Sequence, residues 1–533
     1  MNPAPERRDP GARAEARFWR APAGKVTGAA LWLLGLYFLA AFLFLAWHHI
    51  PWPFELEWME GGMLDHVHRL LEGGRLYGPP ALEFTAFSYP PLYFYFAAAL
   101  GTFFSAGFPL LRTISTLALL LTVLLIGYWI RRESGSRRAG VLAGALYLAS
   151  YPVSGFWFGL ARVDSLFLLL LLAGLYLLRR SRTLAGGLGA ALLLALAFFC
   201  KQTALVISLP VMIWLALCGK NPRRWIIPAA WLGLLAAGLW MLQRASGGWL
   251  FYYLFYLPGE HLPVWWRVHH FWIDYFFKPL PIATLAGGLY LLAGSGRFRG
   301  RDLFWPAAAA GLAGGPWLAS VPSGAFHNVA MPAHAAFAML FALAVQRWFT
   351  AAARRESTLV RQQQPAGPAL RFLRALCARS ALRRCALFLP WAAALLQLIL
   401  LLYNPLHHLP AAADRQAGEA LVRRIAAVQG ELWIPSHGYL ARLAGKSGCA
   451  HRCALDDVLR GKDEPGKREL EREIAGALEK RNYGVIIASD DWLAGEIERG
   501  YGEGRRIFDP GRRFYPLTGW QTRPELWYER PER

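Results

Sequence analysis

Long apolar runs, separated by short basic segments, dominate the chain before residue 404. Several reach roughly 17 to 23 residues, the length at which a helix spans the hydrocarbon core of a bilayer. The pattern predicts an all-α polytopic membrane protein with about eleven transmembrane helices. These helices are predicted at 25–47, 109–130, 139–157, 163–178, 184–199, 203–218, 225–242, 279–293, 303–319, 329–345 and 386–403.

The cations between these runs predict the orientation of the chain. Positively charged short loops stay on the cytoplasmic side of a membrane. The net charge of +22 is therefore an orientation signal, and nucleic-acid binding is not expected. We predict a cytoplasmic basic leader at 1–25 and, after eleven crossings, a C-terminus outside. The basic segments at 131–138, 179–182, 220–224, 296–301 and 346–385 then all lie on the cytoplasmic side.

One apolar segment does not fit this alternation. The stretch YPPLYFYFAAALGTFFSAGF, from Tyr89, is apolar enough to cross, but a crossing there would reverse every later basic loop. We therefore predict a helix packed at the outer membrane boundary, or a re-entrant piece. Its two early prolines suit a helix start. A twelfth crossing is the alternative.

After Tyr403 the chain becomes polar enough to be soluble. The stretches ELWIPS and YGVIIAS are typical of short buried strands. The stretches DRQAGEALVRRIAAV and GKRELEREIAGALEKRNY are typical of amphipathic helices. We predict a transmembrane domain at 26–403, with an outer catalytic loop at 48–108 and a cytoplasmic basic loop at 346–385. A small α/β extracytoplasmic domain follows at 404–533.

Two cysteines fall in that outer region. Cys449 and Cys453 could form a disulfide in an oxidising compartment, or bind a metal together with His451, or do neither. The spacing does not decide between these possibilities, although a zinc site usually needs a second cluster.

Ionisable residues gather at the predicted outer membrane boundary. Such groups are costly to keep partly dry, so they mark functional sites. Each group also has a structural interpretation: a solvated helix face, a mutual ion pair at a loop, or a lysine reaching for the interface. The candidates are Glu57, Glu60 and Asp65; Arg162 and Asp164; Lys201 and Gln202; the aromatic loop 243–278 with Arg267 and His269; and, more weakly, His327 and Asn328.

This combination suits transfer of a sugar from a lipid phosphate. A carboxylate can accept the proton of the attacking hydroxyl. Arginine or lysine can stabilise the phosphate that leaves as an anion. Aromatic faces can pack on the apolar side of a sugar ring. The outer loops offer all three kinds of residue.

The order of several motifs resembles the GT-C class of integral-membrane glycosyltransferases. The similarity is greatest to the protein mannosyltransferase, aminoarabinose transferase and RgtA/B/C/D-like group. It rests on MEGGMLDHVHRLLEGGRLY, then YPPLYFYF, then ARVDSLFLLL, then HNVAMPAHAA, and covers roughly residues 26–345.

The resemblance implies roles for some of these residues. The catalytic base of such enzymes is usually an Asp, and Met59 stands at that position here. Glu60 matches the next acidic position, so Glu60 or Glu57 would have to serve as the base. Tyr89 replaces a lysine that lies near the phosphate, which leaves that role to Lys201 or Arg162. Asp164 matches an Asp that positions the acceptor.

The sequence therefore predicts an inverting glycosyltransferase. Its expected donor is a polyprenyl-phosphate sugar, and its acceptor an envelope glycolipid, glycan or protein. It would act among membrane lipids on the outer face of a bacterial plasma membrane. No cofactor is required, although the first-loop carboxylates could bind Mg²⁺ or Mn²⁺. The alternatives are a transporter or flippase, and an inactive scaffold that binds a lipid-linked glycan.

Overall fold

The computed structural model describes residues 10–218, 222–294, 300–361, 379–462, 464–509 and 514–531. Each apolar run predicted from the sequence coincides with a helix in these ranges. After an N-terminal helix at Pro10–Arg20, those helices are Pro22–His49, Phe108–Ser134, Arg137–Ala149, Asp164–Arg180, Leu184–Cys200, Thr203–Cys218, Ile226–Ala245, Pro281–Gly294, Phe304–Ser320, Met331–Arg361 and Arg379–Leu400.

The lengths of the helices bear on the number of crossings. Within the described ranges, four helices are long and apolar enough to span a membrane, or up to six if each bent pair is one span. Several others have 13 to 17 residues. At 1.5 Å per residue, 17 residues extend about 25 Å, somewhat less than a typical hydrocarbon core. Eleven crossings therefore stay a prediction.

The segment after Tyr89 forms the short helix Leu92–Gly101. Its ten residues span about 15 Å, half the hydrocarbon thickness. Tyr93 and Phe94 on it are fully buried, and it packs against the helix Glu60–Leu71. Its length supports the prediction of a boundary helix over a twelfth crossing.

The aromatic loop consists of short helical turns rather than one long helix. They include two π-helical turns, which are uncommon and often occur at functional sites. The chain then bends by 105° into the helix Pro281–Gly294. The turns are Trp249–Phe251, Tyr252–Tyr256, Leu257–Gly259, Arg267–Trp272 and Ile273–Phe277, and 3₁₀ turns elsewhere lie at Pro222–Trp225, Gly300–Leu303, His327–Ala330 and Pro405–His408.

The C-terminal part contains a four-stranded sheet with the order β1-β2-β4-β3. The two predicted strands are present as β1 (Leu432–Trp433) and β2 (Val485–Ala488), which pair in parallel. The strands β3 (Arg505–Arg506) and β4 (Leu526–Glu529) extend the sheet in antiparallel fashion. The helices beside the sheet are Ala412–Ala426, Tyr439–Leu443, Arg452–Arg460, Pro465–Glu479 and Ala494–Tyr501.

This C-terminal part packs directly on the segment 50–107, between the helices Pro22–His49 and Phe108–Ser134. Glu55 and His437, both buried, are joined by a 2.7 Å contact between Oε2 and Nδ1. Arg442 donates from Nε to Oδ1 of Asp65 at 2.9 Å. Since polar groups this deeply buried need partners, these contacts fix the sheet region over the residues that the sequence predicts to be functional.

Candidate functional site

Glu60 lies at the start of the helix Glu60–Leu71 and is fully buried. Arg112 donates to both of its oxygens, from Nε at 3.0 Å and from Nη2 at 2.6 Å. The backbone N–H groups of Leu56 and Ala161 donate to the same two oxygens. These four donors hold the pKa of Glu60 below its ordinary value despite its burial. Both oxygens of Glu60 therefore already accept hydrogen bonds, and Glu60 is the ion-pair partner of Arg112.

Arg112 also ties the surrounding loop together. Its guanidinium donates to the carbonyl oxygens of His49, Trp52 and Phe54 at 2.6 to 2.8 Å. A fully buried arginine with these partners is satisfied at every terminal nitrogen. The Glu60–Arg112 pair thus fixes the backbone between the first membrane helix and the helix Glu60–Leu71.

Glu57 lies three residues earlier, in a different environment. Its Oε2 accepts from Nη1 of Arg162 at 3.0 Å, while its Oε1 is buried without a hydrogen-bond partner. Burial raises the pKa of Glu57 to about 7, although Arg162 opposes the rise. A carboxylate with a vacant oxygen and a pKa near neutrality has the properties of a general base.

Arg162 connects this carboxylate to the loop before the boundary helix. It donates from Nη2 to the hydroxyl of Tyr89 at 2.8 Å, and its buried Nε has no partner. The ring of Trp157 lies 5.7 Å from its guanidinium carbon, a cation–π distance. Arg162 therefore presents an unused N–H beside Glu57.

A second ion pair lies close by, where four apolar helices begin or end. Lys201 donates from Nζ to Oδ1 of Asp164 at 2.5 Å, and Asn328 donates to the same oxygen at 3.0 Å. Oδ2 of Asp164 is buried without a partner. A narrow cavity of about 10 Å³ adjoins Asp164, Lys201 and Asn328. Gln202 donates to the carbonyl of Ser88 and keeps a buried, unpartnered Oε1.

The structure brings these two pairs into one region. Arg162 donates to Glu57 and precedes Asp164 by two residues, and both carboxylates raise the pKa of its guanidinium against the effect of burial. Among the four side chains of these pairs, three buried polar atoms have no hydrogen-bond partner: Oε1 of Glu57, Nε of Arg162 and Oδ2 of Asp164. Unsatisfied buried polar atoms are uncommon and call for an explanation such as a missing ligand or a catalytic role.

A much larger cavity, about 810 Å³, is lined in part by Gly155, Thr518 and Gly519. We call it the aromatic cavity, because Trp266, Phe271, Tyr275 and Phe326 line it. Arg267 and His327 also line it, whereas His269 is exposed and does not. Arg267 donates from Nη1 to the carbonyl of Pro322 at 2.8 Å, so its position is fixed. The volume is typical of ligand-binding sites.

Several residues around the site could not be identified from the sequence as participants. Arg112 occurs inside an apolar helix, and a buried charge in such a helix is the signal that points to a partner. His437 and His451 come from the C-terminal part, and His451 contacts the carbonyl of Trp58 at 3.0 Å. Nothing in their local sequence links them to the first loop, because these contacts span more than 380 residues.

Cys449 and Cys453 are free thiols. Cys453 instead contacts Met59, sulfur to sulfur, at 3.9 Å. Of the three possibilities that the sequence left open, the structure has neither the disulfide nor the metal site with His451. Within the described ranges, no group of three His, Cys, Asp or Glu side chains is arranged to hold a metal ion.

The first-loop carboxylates do not fit a divalent cation. Mg²⁺ requires several oxygen ligands that are free to coordinate it. Glu55 is paired with His437, Glu57 with Arg162, Glu60 with Arg112 and Asp65 with Arg442. Each carboxylate would have to be shared between the cation and its present partner, so no step of the proposed chemistry uses a metal.

Comparison with known proteins gives an independent result. The model of the dolichyl-phosphate-mannose-protein mannosyltransferase family matches residues 88–273, about a third of the chain. A comparison with curated protein sequences finds no match. The matched region begins at Ser88 and includes Tyr89, Arg162, Asp164 and Lys201, so the family similarity covers part of the candidate site.

Solved structures share the fold over almost the whole chain. ArnT from Cupriavidus metallidurans in the apo state matches with a TM-score of 0.57 and 12% identity. The match covers 92% of this chain and 97% of ArnT. The same protein bound to undecaprenyl phosphate matches with a TM-score of 0.57 and 10% identity, over 95% and 98% of the two chains.

These findings confirm the resemblance inferred from the motifs. The family model and ArnT both represent GT-C glycosyltransferases, and this chain has their membrane fold. At 10 to 12% identity the structural similarity concerns the fold alone. The chemistry has to be argued from the residues of the site.

Proposed function

We propose that this protein is an inverting glycosyltransferase that moves a sugar from a polyprenyl-phosphate donor to an acceptor hydroxyl at the outer membrane face. The observation that supports it most is the pairing of a buried carboxylate, Glu57, with a cation, Arg162, beside a second carboxylate–cation pair. Sugar transfer from a lipid phosphate needs a base for the acceptor and cations for the leaving group.

Glu57 is the proposed base. Its Oε1 has no partner in the described structure, whereas both oxygens of Glu60 are fully used by donors. Removing a proton from the acceptor hydroxyl requires a vacant lone pair within about 3 Å. Glu60 is thus proposed to position the loop rather than to react. This assigns the base in a chain that has Met59 where the family usually has Asp.

Lys201 and Arg162 are proposed to stabilise the phosphate. Lysine carries three donors, and only one hydrogen bond, to Asp164, is described for Lys201. The Nε of Arg162 has no partner, and its Nη2 donates to the hydroxyl of Tyr89. An incoming phosphate would supply acceptors to both, and charge-assisted hydrogen bonds of this kind are strong.

Asp164 and Asn328 are proposed to position these groups. Lys201 donates a hydrogen bond to Oδ1 of Asp164, and Asn328 donates to the same oxygen. The free Oδ2 of Asp164 and the free Oε1 of Gln202 are acceptors that sugar hydroxyls could satisfy. The aromatic loop 243–278 is proposed to act as a lid, because six of its residues line the aromatic cavity.

The proposed setting is the outer face of a bacterial plasma membrane, with the C-terminal part outside. The proposed donor carries a polyprenyl chain in the membrane, and ArnT, which shares the fold, has been solved with undecaprenyl phosphate bound. The acceptor would be an envelope glycolipid, glycan or protein. Inversion follows from a single displacement, in which the acceptor attacks from the face opposite to the phosphate.

A reconstitution experiment tests this proposal. Purified protein in vesicles is incubated with the polyprenyl-phosphate sugar fraction and the envelope acceptors of its source organism, and released polyprenyl phosphate is measured. We expect release with the unaltered chain and loss of at least about a hundredfold with Glu57→Gln, the usual scale for a general base. Equal release by the two proteins would overturn the assignment.

An inactive scaffold that binds a lipid-linked glycan is the second candidate. Two observations favour it: Met59 stands at the usual Asp position, and Glu57 is buried with no exposed surface. In that case the protein would bind undecaprenyl phosphate in the same vesicles but release no polyprenyl phosphate from any donor. Turnover in the reconstitution experiment would eliminate this candidate.

A further inference from the structure

A short segment near the C-terminus, residues 517–522, lies across the carboxylate of Glu57; we call it the strap. Thr518 forms a parallel β-bridge with Glu57 and donates its N–H to the carbonyl of Leu56 at 3.1 Å. Gly519 follows with a φ of +77°. A Cβ on Gly519 would lie 2.9 Å from Oε1 of Glu57, closer than side chains pack. Glycine at this position lets the backbone cover the carboxylate.

The strap also forms one wall of the aromatic cavity. Thr518 and Gly519 line it together with rings of the loop 243–278. Gly519 therefore borders both the vacant oxygen of Glu57 and a space of about 810 Å³. The proposed reaction must bring together Glu57 and a molecule in the aromatic cavity. Glu57 and the cavity are adjacent, but they are not connected.

The position of the strap conflicts with direct access to Glu57. A base must come within about 3 Å of the hydroxyl that it deprotonates. Glu57 is 0% exposed, so a molecule in the aromatic cavity cannot reach it while the strap is seated. The strap has to move, or the acceptor has to arrive by another path.

Two described hydrogen bonds, both donated by Thr518, and the ring of Trp520 hold the strap in place; this ring also lies 5.1 Å from the guanidinium carbon of Arg452. The hydroxyl of Thr518 donates to the carbonyl of Gly155 at 2.6 Å, in addition to its backbone bond to Leu56. Trp520 meets the edge of Trp58 at 5.1 Å between ring centroids, yet 39% of its surface is exposed. Segments with few buried contacts open at low cost.

We propose that the strap is a gate between the aromatic cavity and Glu57, displaced when a pyranose of the acceptor occupies the cavity. The sugar class follows from the lining: aromatic rings offer faces for a pyranose, and Arg267 and His270 offer donors for its hydroxyls. The naming of the occupant as an acceptor rests on the proposed function. The inference that the strap closes off Glu57 does not rest on the proposed function.

Carbodiimide labelling tests the gate without any donor or transfer. The full-length protein is treated at pH 6 with a water-soluble carbodiimide, and modified Glu57 is measured by peptide mass spectrometry. We expect Thr518→Ala to raise the labelling rate about fivefold, because one hydrogen bond holding the closed strap is lost. Thr518→Ser, which keeps the hydroxyl, is expected to label like the unaltered protein.

The matched control is Thr102→Ala, which removes an exposed hydroxyl from the end of the boundary helix. Its labelling of Glu57 should equal that of the unaltered protein. If Thr518→Ala and Thr102→Ala label Glu57 at the same rate, whether fast or slow, the gate is overturned.

A second arm tests displacement by sugar. n-Octyl β-D-glucopyranoside should raise labelling of Glu57 in the unaltered protein, and n-octylphosphocholine should not. Ala325→Trp, which fills the aromatic cavity, should remove the effect, and Ala310→Trp, on an exposed face of another helix, should keep it. Equal responses to the two detergents, or none to the glucoside, would contradict displacement by sugar.

The proposed gate and the proposed glycosyltransferase activity can each be overturned without the other. Transfer that depends on Glu57, combined with labelling that ignores Thr518, would overturn the gate and leave the glycosyltransferase. Labelling that follows Thr518, in a protein that transfers no sugar, would leave the gate and overturn the glycosyltransferase.

Discussion

Two glutamates that look equivalent in the sequence occupy different physical situations. Glu57 and Glu60 are three residues apart, a spacing typical of one helix face. In the structure only Glu60 belongs to the helix, and its oxygens are bound by Arg112, 52 residues away. Glu57 precedes the helix and keeps one free oxygen. The sequence could predict that carboxylates meet here, but not which one has an available lone pair.

Replacing Glu60 should lower the stability of the folded protein more than it affects the chemistry of sugar transfer. Glu60→Gln leaves the fully buried Arg112 without its anion, and breaking a buried pair in this way costs about 3–5 kcal/mol. We expect a clearly lower unfolding midpoint in detergent, measured by differential scanning fluorimetry. Glu83→Gln, at an exposed ion pair with Arg69, serves as the control and should leave the midpoint nearly unchanged. Equal midpoints for the two variants would contradict the structural role of Glu60.

The pH dependence of transfer should reflect Glu57. Its pKa is raised to about 7, chiefly by burial, and the base must be ionised to accept a proton. Transfer should therefore be at its plateau above pH 8 and fall about tenfold per pH unit below 6. Initial rates between pH 5 and 9 provide the measurement. A profile that stays flat down to pH 5 would mean that Glu57 is not the titrating base.

At the scale of elements, the apolar pattern predicted the helices well. Continuous apolar runs leave no alternative to a helix in a bilayer, because every backbone polar group must be paired within the segment. The short strands β3 and β4 could not be predicted in the same way. Arg505 and Arg506 in β3 are exposed and polar, and only pairing with β4 makes them a strand. Long-range pairing of this kind leaves no local signal.

The charged residues of the site lie at the ends of apolar helices. Lys201 lies in the break between the helices Leu184–Cys200 and Thr203–Cys218, and Asp164 begins another helix. If Lys201 binds the phosphate, Lys201→Met should weaken the binding of undecaprenyl phosphate about tenfold, the loss of one charge-assisted hydrogen bond. Binding of the radiolabelled lipid to the protein in nanodiscs provides the measurement.

Two variants control for indirect effects at Lys201. The double variant Lys201→Met with Asp164→Asn removes the carboxylate charge that Lys201→Met leaves unpaired, and should still bind weakly. Lys278→Met, at an exposed ion pair with Asp274, should bind like the unaltered protein. Unchanged binding in the double variant would remove Lys201 from the phosphate site.

At the scale of the whole molecule, the C-terminal part and the segment 50–107 form one packed unit. Contacts from His437, Arg442, His451 and Thr518 converge on residues 55–65. The sequence placed both segments on the same side from the basic loops, yet it could not predict their contact. The site is therefore a property of the complete chain.

The orientation of the molecule gives a further prediction. In a background without native cysteines, Glu503→Cys in the C-terminal part should react with a membrane-impermeant maleimide added to intact cells. Arg137→Cys, at the start of the helix Arg137–Ala149 and in the basic segment 131–138, should react only after permeabilisation. Both positions are exposed in the structure. Reaction of Arg137→Cys in intact cells would reverse the predicted topology.

Mass spectrometry of envelope glycolipids and glycoproteins tests the central claim most directly. A strain that lacks this protein is complemented with the unaltered chain, Glu57→Gln, or no chain, at matched protein levels in the membrane. The account predicts one species that is heavier by a sugar, present only with the unaltered chain. A Glu57→Gln strain that restores this species in full would contradict the account.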